Sequence, residues 1–345
     1  MHKVGICGHF GGGHNFLDGQ TVKTKILTEE LKKEFGNDEV QIVDTHGWRN
    51  NPFALLFKCF RVFLQCENIV ILPAHNGVRV FVPLFVTLNK LFSRKMFYVV
   101  IGGWLPKLLE DNVKLRYSLG KFNKVFVETQ SMLENLFKQG LDNVQHLPNF
   151  KRLDILDRSK LVYPEGEPYK LCTFSRVMEE KGIEDAIKAV SETNRILGKR
   201  AYTLDIYGPI DDNYIEKFNL LKQSLPPYIT YKGMVDFNDT TRVLKEYFAL
   251  LFPTRFKTEG VPGTIIDAYS AGVPVIASQW DSAKEIIAQG KTGFIYDFMQ
   301  NSKLKDLLLQ IFDDPIKINN MKIDCLKKAK QYSPEVVIME FKKYL

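Results

Sequence analysis

The sequence predicts an α/β protein built from two doubly wound parallel sheets, one in each half of the chain. Short apolar runs typical of buried strands alternate with helical patterns along the sequence, and this alternation is characteristic of parallel sheets. The length of 345 residues also exceeds what one hydrophobic core usually organises. A turn-forming segment, Pro148-Asn149-Phe150, separates the two halves. We therefore predict domains at residues 1–150 and 151–330, followed by a C-terminal helix at 331–345.

Each predicted strand is an apolar run that ends at turn residues. In the first half these runs occupy residues 3–7, 40–44, 69–72, 96–101 and 124–128. In the second half they occupy residues 170–174, 203–208, 229–232, 247–252, 273–277 and 293–296. Helical patterns lie between them, for example at 20–35 and 130–140.

The composition is that of an ordinary soluble protein, with 45% hydrophobic and 25% charged residues. Its five cysteines show no CxxC spacing, which is typical of buried thiols in a reducing compartment. The first residues lack the features of a signal peptide, and no uncharged apolar run reaches the length of a membrane span. We therefore expect a cytoplasmic protein. The basic residues are scattered and match no nucleic-acid-reading motif, so we expect no nucleic-acid partner.

Two carboxylates in the second half indicate a binding site. Glu259 and Asp267 stand eight positions apart, and a helix is predicted to begin between them, near Gly263 or Thr264. Unpaired N–H groups at such a helix N-terminus attract an anion. A ligand with hydroxyl groups at both ends and phosphates in the middle would suit these features. A nucleotide-sugar has that layout.

A second segment carries the complementary charge. Arg176 and Lys181 follow the strand predicted at 170–174 and precede a helical pattern. Arginine offers a rigid fork of donors and lysine a mobile point charge, so that together they can neutralise a diphosphate. The alternative is an exposed charged loop in which Glu179 and Glu180 pair with these cations.

Together the two segments resemble the Glu-x7-Glu signature and the Gly-Arg-Leu-x-x-x-Lys-Gly block of retaining glycosyltransferases with the GT-B fold, family 4 (glycosyl transferases group 1). The resemblance implies two Rossmann-like domains facing across a cleft, with the acceptor bound by the first and the donor by the second. It places Glu259 on hydroxyls of the donor sugar, Asp267 on the ribose, and Arg176 and Lys181 on the pyrophosphate. The chain departs from the family where Asp267 replaces Glu, Pro262 replaces Gly and Ser175 replaces Gly.

A glycine-rich loop follows the first strand. The resemblance implies that such a loop closes over the donor, which places Gly12, Gly13 and Gln20 near it. A dinucleotide fingerprint is the rival interpretation, with Asp44 as the ribose-binding acid, but the spacing is not GxGxxG. His14 is a candidate active-site residue, although a solvated or capping histidine is the alternative.

Many relatives carry a histidine at the end of a mid-domain strand, where this chain has Gly102-Gly103-Trp104. His75 and Trp104 are therefore candidates for the acceptor side of the site, with an exposed histidine and a core tryptophan as the alternatives. A retaining reaction can run with the leaving diphosphate as the proton acceptor, so that no protein base is obligatory. Charge stabilisation by Arg176 and Lys181 would then suffice, and we expect no metal and no cofactor.

Residues 52–65 form a mostly apolar predicted helix that also carries Lys58, Arg61 and Gln65. Residues 1–150 contain eighteen Lys or Arg and thirteen Asp or Glu, so that most of the net charge of +7 lies in the first half. Such a helix would suit peripheral contact with the inner face of the cell membrane, near a lipid-linked acceptor. The alternative is a helix packed on the sheet with a narrow wet edge.

These inferences favour a retaining glycosyltransferase that moves a sugar from a nucleotide-sugar, UDP being the usual nucleotide in the family. The acceptor would be a glycan or lipid-linked intermediate in capsule, exopolysaccharide or lipopolysaccharide biosynthesis. A nucleotide-sugar enzyme of another reaction, such as an epimerase, and an inactive transferase-like partner subunit are the alternatives. A dehydrogenase is a more distant one.

Overall fold

The computed structural model describes residues 1–14 and 19–345. The chain divides into two compact units, one comprising Met1–Arg152 with Tyr332–Leu345 and the other comprising Leu153–Gln331. Each unit contains a six-stranded sheet whose neighbouring strands all run parallel. The predicted α/β class with two doubly wound parallel sheets is therefore confirmed.

In the first unit the strand order is β2-β1-β3-β4-β5-β6. The strands are β1 His2–Gly8, β2 Val40–Asp44, β3 Cys66–Leu72, β4 Lys95–Val99, β5 Lys124–Val127 and β6 Val144–His146. The helices are α1 Gly19–Phe35, α2 Pro52–Gln65, α3 His75–Phe92, α4 Leu105–Glu110, α5 Val113–Leu119 and α6 Gln130–Lys138. The C-terminal helix, called α14 below, spans Pro334–Phe341 and belongs to the same unit.

Side chains on both faces of this sheet are buried. Residues 68–72 of β3 are buried without alternation, as expected for a parallel strand covered by helices on both sides. The C-terminal helix α14 contributes to one of the two cores: the ring of Phe341 lies 4.9 Å from that of Phe126 and 6.3 Å from that of Phe97.

In the second unit the strand order is β12-β11-β10-β7-β8-β9. The strands are β7 Tyr169–Phe174, β8 Tyr202–Tyr207, β9 Ile229–Gly233, β10 Ala249–Phe252, β11 Val275–Ser278 and β12 Gly293–Tyr296. The helices are α7 Ile183–Leu197, α8 Ile215–Gln223, α9 Thr240–Leu244, α10 Gly263–Ser270, α11 Ala283–Ile286, α12 Asn301–Asp313 and α13 Ile316–Ala329.

The predicted strand edges differ from the observed ones where backbone groups are used otherwise. The strand predicted at 273–277 begins only at Val275, because the Val273 N–H closes the end of α10 on the Ala268 carbonyl at 2.8 Å and Pro274 has no N–H. Similarly, the strand predicted at 247–252 begins at Ala249, because the Tyr247 N–H donates to Leu244 in the turn after α9. Among the described residues, no helix is both long enough and apolar enough to cross a membrane.

A buried lysine makes the stability of the second unit depend on pH. Lys322 on α13 is fully buried, and its Nζ donates to the Tyr247 carbonyl at 3.2 Å. Burial lowers the pKa of Lys322 from 10.5 to about 8, although Cys325 and Glu246 act in the opposite direction. Because the folded-state pKa lies below the unfolded value, the unfolded chain binds the proton more readily. Lys322 therefore lowers the free energy of unfolding. This destabilisation has its full size below about pH 8 and disappears as the pH rises above about 10.5.

We expect Lys322→Met to raise the free energy of unfolding at pH 7 by about 2 kcal/mol, the removed charge penalty less one hydrogen bond. Urea unfolding followed by Trp280 fluorescence measures this, since Trp280 is the tryptophan of the second unit. The gain should shrink between pH 8 and pH 10. Lys327→Met, on the exposed face of the same helix, is the matched control. A variant less stable than wild type at pH 7 would refute the assignment.

Candidate donor site

Two loops of the second unit meet at the carboxyl ends of β7 and β10. These strands are neighbours in the sheet and run parallel, so the loops that follow them lie at the same edge. The first loop leads from Phe174 through Arg176 and Lys181 into α7, and the second leads from Phe252 through Glu259 into α10. The two segments that the sequence analysis singled out therefore belong to one site.

Lys181 and Glu259 form an ion pair at the centre of this site. The Lys181 Nζ donates to Glu259 Oε1, and the Thr254 hydroxyl donates to the same oxygen at 3.0 Å. Both charged side chains are more than four-fifths buried. The ammonium also lies 5.4 Å from the Phe252 ring centroid and 5.0 Å from that of Phe256. The carboxylate is thus held in a fixed position, and none of the described residues donates a hydrogen bond to its second oxygen.

A glycine and a second ion pair hold the loops together. Gly182 has a φ of +69°, and a Cβ there would lie 1.9 Å from the Pro253 carbonyl oxygen, so that only glycine permits this approach. The Arg255 guanidinium donates to both carboxylate oxygens of Asp185 on α7 at 2.8 Å. The backbone N–H of Arg255 donates to the Glu180 carbonyl at 2.7 Å. These contacts fix Lys181, which lies between Glu180 and Gly182.

Arg176 does not join the central pair in this structure. Its guanidinium is half-exposed and lies 3.5 Å from the Asp211 carboxylate. The alternative that Glu179 and Glu180 neutralise the two cations is not what the structure shows, because Glu179 pairs with Arg255 and Lys217. Of the two cations predicted to neutralise a diphosphate, Lys181 is therefore oriented by Glu259, while Arg176 remains accessible to a ligand at the loop surface.

The N-terminus of α10 carries no side-chain cap. The helix begins at Gly263 after Pro262, and the Thr264 hydroxyl donates to the Phe174 carbonyl instead of capping the helix. The backbone N–H groups of Ile265 and Ile266 donate to the Pro262 carbonyl. In the part of the chain that the structure describes, the N–H groups of Gly263 and Thr264 have no protein acceptor. A helix terminus of this kind can accept an anion, and the half-buried Asp267 lies one turn further along.

In the first unit, the glycine-rich loop is fixed by Asp44 at the end of β2. The Asp44 carboxylate accepts the N–H groups of Phe10 at 2.9 Å, Gly12 at 2.8 Å and His46 at 2.8 Å. Burial alone would raise the pKa of Asp44, but these three hydrogen bonds outweigh it and the pKa is lowered. Because both oxygens are engaged with the loop, the structure argues against Asp44 as a ribose-binding acid of a dinucleotide site.

The remaining candidates of the first unit occupy two places. Gly13 and His14 are exposed on the glycine-rich loop, and the His14 ring lies 6.0 Å from that of His46. Gln20, by contrast, uses its side-chain amide to donate to the Leu72 carbonyl at 3.0 Å. It anchors the start of α1 to the end of β3.

His75 and Trp104 lie together, although they follow different strands. Their rings make an edge-to-face contact with centroids 5.1 Å apart, and the indole N–H donates to the Ile101 carbonyl at 2.7 Å. Trp104 is partly buried and packs at the border of the core, whereas His75 is exposed. The pair forms an aromatic surface with an imidazole at one edge.

Sequence reasoning missed the side chains that orient the predicted ones. These side chains are Thr254, which contacts Glu259, Asp211, which contacts Arg176, and Asp185, which contacts Arg255. The two aspartates are far in sequence from the residues they contact, and Thr254 lies in a loop. Only Thr254 carried a signal, since it stands two residues after a buried strand at the edge where parallel sheets bind ligands.

Two units, each built on a six-stranded parallel sheet with helices, have the architecture of the GT-B fold. Solved structures agree on this fold. The chain matches Anabaena HepE in complex with UDP with a TM-score of 0.76 over 99% of each chain at 14% identity. It matches sucrose-phosphate synthase from Thermosynechococcus elongatus with a TM-score of 0.77, over 99% of this chain and 98% of that one, also at 14% identity.

Residues 168–314 match the model of the family Glycosyl transferases group 1. This match lies within the second unit and covers less than half of the chain, and it agrees with the family that the sequence analysis predicts. By sequence, the chain is 26% identical over 207 residues to the GDP-mannose-dependent monoacylated alpha-(1-6)-phosphatidylinositol monomannoside mannosyltransferase of Corynebacterium glutamicum. That match covers 59% of this chain and about half, 52%, of the relative. An uncharacterized 41.2 kDa protein in the cps region of Klebsiella pneumoniae is 24% identical over 331 residues, 89% of each chain.

Proposed function

We propose that this protein is a retaining glycosyltransferase that moves a sugar from a UDP-sugar to a glycan or lipid-linked acceptor of a surface polysaccharide. The observation that carries the proposal is the buried Lys181–Glu259 pair beside the uncapped start of α10. The carboxylate is held there by both a cation and Thr254. It suits a sugar, because the hydroxyl groups of a sugar donate to such an oxygen.

Each group has a role in the proposed transfer. The N–H groups of Gly263 and Thr264, with Arg176 and Lys181, neutralise the diphosphate. Glu259 accepts a sugar hydroxyl and Asp267 the ribose hydroxyls. The bond between the anomeric carbon and the diphosphate oxygen breaks as the acceptor oxygen bonds to that carbon on the same face, and the diphosphate takes the acceptor's proton. Positioning and charge stabilisation supply the catalysis, and we propose that no metal is required.

The first unit is proposed to supply the acceptor side. His75 and Trp104 present an aromatic surface suited to a sugar face, and Gly12, Gly13 and His14 are proposed to approach the donor. A surface polysaccharide as the product is supported by the relative in the Klebsiella cps region and by one named amylovoran biosynthesis glycosyltransferase from Erwinia amylovora. UDP as the nucleotide is supported by HepE, which was solved with UDP, although the Corynebacterium relative is named for GDP-mannose.

Calorimetric titration with UDP, GDP and NAD, with and without EDTA, tests this proposal. We expect UDP to bind equally well in EDTA and Arg176→Ala to weaken it about tenfold or more, since a hydrogen bond to a charged group is removed. Lys181→Ala should weaken it too, but this change also leaves Glu259 without its cation. Lys188→Ala, an exposed lysine on α7, is the matched control and should bind as wild type.

Other outcomes would decide against the proposal. Binding of NAD alone would indicate a dehydrogenase. Binding that disappears in EDTA would refute metal independence. If no nucleotide binds, the chain is a transferase-like partner subunit and not an enzyme.

A further inference from the structure

Helix α2 exposes an apolar stripe that the fold does not cover. Phe53, Phe57, Phe60 and Leu64 recur at intervals of four, three and four residues, which places them on one face of the helix. Phe53 is 83% exposed and Phe57 is 62% exposed. The neighbouring Leu56 is 41% exposed. A contiguous apolar surface of this kind on a soluble unit marks an interaction site.

The opposite face of α2 explains why the stripe remains outside. Leu55, Cys59, Val62 and Phe63 are buried against the sheet and α3. The helix is therefore apolar on both faces, and packing on the sheet uses only one of them. The alternative of a narrow wet edge does not apply, because the outward face is itself lined by large apolar side chains.

The stripe lies on a rigid part of the molecule. The Asn51 side chain caps α2 by accepting the Ala54 N–H at 3.1 Å, and Pro52 occupies the first turn. At the other end, the Phe60 ring contacts that of Phe92 with centroids 5.3 Å apart. Exposure of the stripe thus does not result from a loosely held helix.

The charged side chains on α2 beside the stripe are basic, and at its end Leu64 borders a cavity that Asp38 and Glu39 also line. Lys58 and Arg61 flank it on α2 and are exposed, and neither forms an ion pair within the described residues. Residues 46–109 contain eight Lys or Arg and a single acid, Glu67. Their surplus of seven positive charges equals the net charge of the whole chain, +7. The basic character of this protein is therefore concentrated in the segment that contains the stripe.

We infer that α2 docks on an anionic lipid bilayer, with Phe53, Leu56, Phe57, Phe60 and Leu64 inserted at the acyl boundary and Lys58 and Arg61 on the headgroups. The charge pattern favours lipid over a second copy of this chain. A two-fold pairing of α2 with itself would bring Lys58 and Arg61 of the two copies together, and α2 carries no acidic residue of its own to compensate them. The inference does not depend on the proposed sugar transfer.

Sedimentation with vesicles tests the inference. Wild type is expected to bind vesicles of 30% phosphatidylglycerol in phosphatidylcholine, and this binding should weaken as the salt concentration increases. It should bind vesicles of pure phosphatidylcholine weakly or not at all. Phe53→Ser/Phe57→Ser should reduce the partition coefficient about tenfold or more, because both rings lose their insertion. Lys58→Gln/Arg61→Gln should reduce it about twenty-five-fold on the anionic vesicles, at roughly fivefold for each charge.

Matched controls come from exposed residues of the second unit. Leu220→Ser/Met234→Ser removes two apolar side chains that are 69% and 66% exposed, and Lys188→Gln/Lys317→Gln removes two exposed charges. Both should bind vesicles as wild type does. Thermal unfolding of all variants should match wild type, because every substituted side chain is exposed.

Three results would overturn the inference. The first is wild type that stays in the supernatant with anionic vesicles at low salt. The second is vesicle binding by Phe53→Ser/Phe57→Ser that equals the binding of wild type. A wild-type dimer in analytical ultracentrifugation that this variant converts to monomer would identify a second copy, and not lipid, as the occupant of the stripe.

Discussion

Glu259→Ala is expected to lower the rate of sugar transfer by about a thousandfold or more while UDP affinity stays within about threefold of wild type. The proposed contact of Glu259 is with the sugar, so its loss removes orientation at the reacting carbon but no contact with the nucleotide. Lys181 loses its carboxylate partner and becomes more available to the diphosphate, which should keep UDP binding intact. Release of UDP from the donor and calorimetry with UDP measure the two effects separately.

Two further variants sharpen this prediction. Glu259→Gln keeps the size and one acceptor oxygen, so we expect it to retain more activity than the alanine variant. Glu192→Ala, on the exposed side of α7, should behave as wild type. A Glu259→Ala enzyme that transfers sugar at the wild-type rate, or one that no longer binds UDP, would contradict the role assigned to Glu259.

Lys23→Met is expected to reduce the stability of the first unit by about 3 to 5 kcal/mol, the usual effect of breaking a buried ion pair. The Lys23 Nζ on α1 donates to Glu128 Oε1 at 2.8 Å and to the Val100 carbonyl at 3.1 Å, and both charged side chains are 2% exposed. Methionine fits the space of the lysine stem but leaves a buried carboxylate without its cation. Urea unfolding followed by fluorescence of Trp48 and Trp104 reports on this unit.

A double-mutant cycle separates the ion pair from simple packing. Lys23→Met/Glu128→Leu removes both charges and should recover most of the lost stability, since an apolar pair avoids the desolvation of the ions. Lys33→Met removes an exposed lysine that pairs with Glu30 on the same helix, and it should cost less than about 1 kcal/mol because Arg152 also lies 3.9 Å from Glu30. A double variant as unstable as the single one would show that the charges themselves are not what Lys23 contributes.

The fold was predictable because each strand is a short buried run between turn residues. The bounds predicted for β2, β12 and α2 match the observed ones, since turn residues or a proline mark their ends. Strand starts were less predictable where a proline or a turn hydrogen bond uses the backbone, as at β11. Which face of α2 is buried could not be predicted, because the helix is apolar on both faces and periodicity then carries no signal.

The candidate site was predictable in its residue types but not in its pairing. The motif around Glu259 and the motif around Lys181 each carried a sequence signal, whereas their ion pair joins positions 78 residues apart. The same limit applies to Lys23 and Glu128, which are 105 residues apart. Asp44 had been considered as a ribose ligand because of its position after β2. Only the structure shows that its carboxylate is used by the loop of the same unit.

The second unit is proposed to bind a nucleotide-sugar and to transfer the sugar with retention of the anomeric configuration. Proton NMR of the protein with UDP-α-sugars in EDTA tests it most directly, because slow hydrolysis to water requires no knowledge of the acceptor. We expect release of UDP with the α-anomer of the free sugar appearing first, before mutarotation, and loss of both signals in Glu259→Ala. Appearance of the β-anomer first would contradict retention, and no UDP release from any nucleotide-sugar would contradict the proposed transfer.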